Sequence, residues 1–154
     1  MVVAAQHQMV PVAWTARPDA PFVGAYCRHR KYGYACVVVG WDAHCNLSEA
    51  WQQQMGVKQL RNGPHQPFFN VVASDGSDRY ACLENIMVIP PAEVQAELGL
   101  LGAAPLPGRP DLGRWFSHWD PERCAFVPIP TLAARFSEDV EHGATWRHEM
   151  ESLS

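Results

Sequence analysis

The chain has 154 residues, 47% apolar and 18% charged, which suits one globular domain with a core of its own. Lys and Arg number 12 against 16 Asp and Glu, so the net charge of −4 excludes a whole-chain basic footprint for nucleic acid. No apolar run reaches 18 residues, and the first twenty residues lack a basic segment followed by an apolar one, so neither a membrane span nor a secretory signal is expected.

Residues 1–21 carry Pro11 and Pro18 without a sustained period and read as a flexible arm, with Trp14 available to dock on a neighbouring surface. Val23 to Arg30 reads as a strand, and Gly33 turns the chain through Lys31–Tyr34. Ala35 to Trp41 is a β-branched run, hence a central and well-buried strand in which Gly40 permits a bulge. Asn46 or Ser48 caps a short helix with Trp51 and Met55 on one face. The Asn62-Gly63-Pro64 turn follows, and Gln66-Pro67 fixes the start of the next strand, Phe68 to Ala73. Asp75-Gly76 is a hairpin signal leading into Arg79–Leu83, and Asn85–Ile89 extends the sheet.

Pro90-Pro91 ends the sheet, and Ala92–Leu101 has helical composition with Val94, Leu98 and Leu101 on one face. Residues 102–109 read as a Gly/Ala/Pro linker. Pro110–Phe116 suits a helix with Pro110 in its first turn, putting Leu112, Trp115 and Phe116 on one apolar stripe. Arg123–Pro128 is extended, Thr131–Phe136 a short helix, and Val140–Glu151 a polar surface helix. The expected organisation is an arm (1–21), a β-rich unit (22–89), a Pro/Gly/Ala-rich insertion (90–109) and a helical extension packing on that unit (110–154). Strands first and helices after give a mostly-β, α+β fold class.

Five cysteines, an odd number without a CxxC, argue against a disulfide framework and for a reducing intracellular compartment, with the cytoplasm expected. A trimmed organellar protein would look the same.

The run Arg28-His29-Arg30-Lys31-Tyr32-Gly33-Tyr34, followed by Val37-Val38-Val39-Gly40-Trp41-Asp42, resembles the YccV-like, or hemimethylated-DNA-binding, family. The likeness continues through Trp51, Met55, Asn62–Val71, Asp75-Gly76-Ser77, Arg79-Tyr80 and Glu84-Asn85. A downstream stretch, Pro110–Phe116, Phe126-Val127-Pro128 and Arg135–Asp139, resembles the C-terminal extension of eukaryotic members, including one that ends an F-box protein. The resemblance implies a small SH3-like antiparallel β-barrel. It also implies one of three roles: binding hemimethylated DNA, adapting substrates to AAA+ proteases, or serving as a recognition domain in larger proteins. None of these is enzymatic.

The expected function is therefore a non-catalytic protein-interaction or adaptor module, tied to regulated proteolysis or to a larger assembly, with DNA binding as the alternative. Candidate partner-binding residues are Arg28, Arg30, Lys31, Tyr32, Tyr34, Trp51 and Arg79. Family-motif positions expected to hold the fold are Gly33, Gly40, Trp41, Asp42, Gln66, Pro67, Phe68, Asn70, Asp75, Gly76, Tyr80, Glu84 and Asn85. Most of the aromatics in this stretch suit a small core, and Tyr32 and Tyr34, flanking a turn, are the ones expected to be partly exposed. In a strand Arg28 and Arg30 share a face, and two charges make a thin phosphate grip. Arg79 is available to pair with Asp42 or Glu84. His44 and Cys45 lack paired ligand spacing, and no nucleophile motif surrounds any cysteine, so no metal, cofactor or catalytic residue is assigned.

Overall fold

A computed structural model describes residues 19–101, 105–106 and 109–153. The arm with Trp14 and most of the 102–109 linker lie outside the described residues. Among the described residues seven strands and four helices follow in order. They are β1 (Tyr26–His29), β2 (Ala35–Asp42), α1 (Glu49–Gln54), β3 (Phe68–Ala73), β4 (Asp78–Cys82), β5 (Ile86–Val88), α2 (Pro91–Leu101), β6 (Phe116–Asp120), β7 (Ala125–Pro128), α3 (Pro130–Arg135) and α4 (Ser137–Ser152). The class is α+β, mostly antiparallel sheet.

The first five strands form one antiparallel sheet in the order β4-β3-β2-β1-β5. The β-branched β2 lies at its centre, and Cys36, Val37 and Val38 on it are each fully buried. A bulge between Val38 and Gly40 shifts its register against β3 and leaves Val39 half-buried. β4 and β5 are the two edges and no ladder joins them, so the expected barrel is not closed by backbone pairing. A 3-10 turn at Leu83–Asn85 carries the chain directly from one edge strand to the other.

β1 starts at Tyr26, three residues later than expected. The cause is Gly24, at φ +99, whose N–H donates to the Val38 carbonyl at 2.9 Å while its carbonyl accepts from Phe126 N–H at 2.9 Å. The expected helix at 110–116 is not formed either. Only Leu112–Arg114 makes a 3-10 turn, and Phe116 opens β6, which pairs with β7 as a second two-stranded sheet. The aromatic β6 segment (FSHWD) carries strand propensity that the helical spacing of Leu112, Trp115 and Phe116 masked.

One core unites the sheet with everything after it. Phe22 and Val23 of the lead-in, Val94 of α2, Phe116 and Phe126 of the hairpin, Leu132 of α3, and Phe136 and Trp146 at and within the last helix belong to the same buried cluster. The last helix is therefore not a surface element. It begins at Ser137, and Asp139, Gly143 and Trp146 on it are buried. Trp146 is fully buried against Phe22, with ring centroids 5.6 Å apart. A smaller second core of Cys45, Val57, Phe68 and Cys82 lies under α1, with Trp51, Leu60 and Tyr80 packed on it.

Candidate functional site

The segment between β2 and β3 folds over one end of the sheet. Ser48 caps α1 by accepting from Trp51 N–H at 3.2 Å. The Trp51 ring meets Tyr80 edge-on at 5.8 Å, and Tyr80 stacks on Phe68 at 5.2 Å. Tyr80 is fixed by its hydroxyl, which donates to Asp42 at 2.6 Å and accepts from Asn46 N–H at 3.1 Å. Burial and the Asp42 carboxylate both push that phenol far up, so it stays a neutral donor. Asp42 thus anchors a side chain across the sheet rather than a turn.

Gln66 and Glu84 lock the end of this segment. The Gln66 amide donates to Glu84 at 2.7 Å and to the Gly63 carbonyl at 2.9 Å, and accepts from Glu84 N–H at 3.0 Å. Glu84 also accepts from the backbone of Arg61 and Asn62. Burial works to raise its carboxyl, but the bonds from Asn62, Gln66 and Arg61 outweigh it and hold the group below the usual range.

The opposite wall comes from the two hairpin turns. His29 is buried and accepts from Lys31 and Tyr32 N–H at Nδ1, at 3.2 and 3.1 Å. Tyr32 and Tyr34 both stack on its ring with centroids 4.9 Å away. Burial, then the charges of Arg79 and Lys31, lower the His29 pKa and keep the ring neutral. The Arg79 guanidinium lies 4.6 Å over Tyr34. Its ionic partner is Asp75, at 2.9 Å, rather than Asp42 or Glu84. Asp75 also accepts from the Ser77 hydroxyl and N–H, and these bonds, with Arg79, hold its carboxyl well below the usual range.

Between the walls runs an open groove of about 640 Å³. Five of the seven candidate partner-binding residues line it: Lys31, Tyr32, Tyr34, Trp51 and Arg79. Arg28 does not. It pairs with Glu97 at 2.7 Å and Glu93 at 3.5 Å on α2. Arg30 is exposed and contacts Met87. Of the motif positions, Phe68, Asn70, Tyr80 and Asn85 reach the groove, whereas Trp41 donates to Asp139 on α4.

Several groove residues carry no signal in the sequence. Leu47, Leu60 and Trp115 line the groove, and Met55, expected to share a helix face with Trp51, is 60% exposed on its rim. Trp115 is expected on a helix, but it caps the 3-10 turn before β6 and lines the groove from there. Arg109 falls in the expected linker. Its side chain is 3% exposed, and it bonds Asp78, Asp111 and the carbonyls of Ala73 and Ser77, clamping the β3–β4 turn.

All five cysteines are unpaired and buried, and burial raises every thiol: Cys36 to about 12, Cys82 to about 11, and Cys27, Cys45 and Cys124 upward. None is a ready nucleophile at neutral pH. Among the described residues no three His, Cys, Asp or Glu side chains gather as a metal site. No helix there is long and apolar enough to cross a membrane.

The family described as hemimethylated DNA-binding protein YccV-like matches residues 22–123, which includes the 90–109 insertion and the β6 strand. F-box only protein 21 from Homo sapiens, Mus musculus and Pongo abelii is 37% identical over 120 residues in each case. That alignment covers 77% of this chain and 17% of each relative, so the chain spans about a sixth of their length. No solved structure matches. With two thirds of the chain matched, it belongs to the YccV-like hemimethylated-DNA-binding family.

Proposed function

We propose that the chain is a non-catalytic protein-interaction module whose partner docks a segment in the groove between the hairpin turns and α1. One observation carries this reading. Of the four large apolar side chains exposed among the described residues, three (Tyr32, Leu47 and Met55) line this groove. A concentration of apolar surface around an open cleft is the usual mark of a docking site rather than of a solvated face. Trp51 and Tyr34 add rigid aromatic walls of the kind that anchor partners.

The adaptor role implied by the family, in regulated proteolysis or as part of a larger assembly, belongs to this proposal. So does the SH3-like description of the sheet, supported by the 3-10 turn that links its two edges. The raised pKa of every buried thiol supports the non-catalytic reading. The unpaired cysteines support a reducing intracellular compartment, with the cytoplasm first.

DNA binding, named in the family description, is the second reading. It loses ground because Arg28 is engaged by Glu93 and Glu97, and Lys58 by Glu49 at 3.6 Å, which breaks up a basic stripe. Affinity capture with the wild-type chain and with a Tyr32→Ala/Met55→Ser double variant tests the leading reading. A specific partner should be retained by the first and lost by the second. Equal capture by both would remove the groove from the function.

A further inference from the structure

The groove runs along an open edge of the sheet. β4 pairs with β3 on one side, and no strand among the described residues pairs with the other. All five β4 residues, which alternate between the two faces, line the groove. A cleft lined by both faces of one strand lies over that strand's hydrogen-bonding edge.

The ladder tells which backbone groups face outward. Ala73 N–H donates to the Ser77 carbonyl and Leu83 N–H to the Pro67 carbonyl, each at 2.8 Å, and these bonds bracket the β3–β4 pairing. Hydrogen-bonded pairs in an antiparallel ladder recur every second residue. Arg79 and Ala81 therefore bond to Val71 and Phe69, while Asp78 and Tyr80 aim their N–H and C=O groups away from β3. No described residue takes up those groups.

Native edge strands are usually guarded by a bulge, a proline or a charge thrown across the edge. β4 has no proline, and its register against β3 is regular from Phe68–Cys82 to Val72–Asp78. Its two charges are drawn aside, Asp78 to Arg109 and Arg79 to Asp75. The flanks of the edge differ. On the Tyr80 side stand the apolar Trp51, Leu47 and exposed Met55, with the Asp78 carboxylate at one end drawn to Arg109. On the Arg79 side stand Lys31, which has no carboxylate partner among the described residues, and the Arg79 guanidinium, paired with Asp75 and still 41% exposed.

We propose that the groove takes an extended peptide segment as an added strand on β4, with apolar residues along the Tyr80 side alternating with acidic residues along the Arg79 side. The backbone of Asp78 and Tyr80 supplies the pairing and the two flanks read alternate side chains. This rests on the docking role of the groove proposed above and names the conformation and chemistry of what docks.

The probe is an end-blocked nonapeptide alternating Glu and Val, against a block peptide of the same composition. Amide hydrogen exchange by NMR on the whole chain reads the result. In the free protein the Asp78 and Tyr80 amides should exchange fast, and those of Arg79 and Ala81 slowly. The alternating peptide should protect Asp78 and Tyr80, and the block peptide should bind at least tenfold more weakly. Asp78→Pro removes only an outward N–H beyond what Asp78→Ala removes, so it should weaken binding about fivefold relative to the alanine variant. Should the proline variant not fold, N-methylation of alternate peptide amides supplies the same comparison, one set abolishing binding and the other sparing it.

Binding without protection of Asp78 and Tyr80, or indifference to N-methylation, overturns the added strand while leaving the groove as a docking site. No binding of the alternating peptide overturns it too. Protection that grows with protein concentration in the free chain would make a second copy the occupant and overturn the peptide. The docking role itself fails only if the Tyr32→Ala/Met55→Ser variant captures as the wild type does.

Discussion

The Gly24 carbonyl accepts from Phe126 N–H at 2.9 Å, and a Cβ at Gly24 would stand 2.3 Å from the Phe126 carbonyl oxygen. This is the seam between the five-stranded sheet and the β6–β7 hairpin. Gly24 also holds φ +99, a region L side chains avoid. Gly24→Ala meets both penalties, backbone against backbone and left-handed strain, and should cost about 3 kcal/mol or more. A urea melt of the alanine variant within about 0.5 kcal/mol of the parent would remove this seam from the fold.

Asp139 ties the last helix to the sheet, accepting from Val23 N–H at 2.7 Å and from the Trp41 indole at 3.1 Å. Burial pushes its pKa up to about 6, against the pull of those two donors. A folded-state value above the unfolded one means the folded chain binds the proton more tightly. The favourable contribution of protonation is complete below about pH 4 and is lost as pH rises through about 6, a change of about 3 kcal/mol at most. The stability difference between wild type and Asp139→Asn should therefore change between pH 4.5 and 7 and level off above. A difference flat across that range would mean that Asp139 titrates normally.

Arg109 has its side chain almost fully buried with carboxylates at 3.1 Å (Asp78) and 2.9 Å (Asp111). Arg109→Met removes the charged donor from two partly exposed carboxylates and from carbonyls that keep their backbone donors, and should cost about 1.5–3 kcal/mol. Arg109→Lys keeps the charge but loses the planar fork, so thermal melts should place it between the two. A lysine variant as stable as the parent would show that charge alone suffices there.

Legibility in the sequence followed the range of the interactions. Ala35–Trp41 was readable because β-branched residues and one glycine specify a strand and its bulge locally. Ser48, Asp75 and Gly76 were readable as cap and turn for the same reason. Gly24 and Arg109 were not, since their partners lie 102 residues away at Phe126 and 36 residues away at Ala73. The 110–116 stretch shows the failure in its clearest form. Leu112, Trp115 and Phe116 fit a helical stripe, but pairing of Phe116 with Pro128 turns the segment into a strand. At the site, resemblance brought Tyr34, Trp51 and Arg79 forward, whereas Leu47 and Trp115 became visible only once the groove was formed.

A docking role for the groove predicts that binding and stability separate there. Tyr32 and Met55 are 66% and 60% exposed, so Tyr32→Ala and Met55→Ser should leave the melting temperature nearly unchanged. Each should nevertheless weaken partner binding, by about 1 kcal/mol or more if it is an anchor. Trp51→Ala should reduce both, because the ring also covers Tyr80 and the small second core. Variants that melt like the parent and bind the captured partner with unaltered affinity would move the interface elsewhere.

Electrostatics decides between a protein and a DNA partner. Net charge is −4, Arg28 is turned to Glu97 and Glu93, and Lys58 to Glu49, leaving Arg30, Lys31 and Arg61 as the exposed bases of the first half without a carboxylate side-chain partner among the described residues. Few phosphates can be neutralised at once, so duplex binding should sit in the non-specific range of about 10⁻⁴ to 10⁻⁶ M. It should also weaken steeply with salt, with a log–log slope no steeper than about −3 for three contacts. Fluorescence anisotropy with hemimethylated and unmethylated duplexes of one sequence should give the same weak curve. Glu93→Gln/Glu97→Gln frees Arg28 and should steepen the slope by about one if that face meets DNA at all. Tight binding that tells the hemimethylated duplex from the unmethylated one at physiological salt would make DNA the ligand and retire the protein-docking reading.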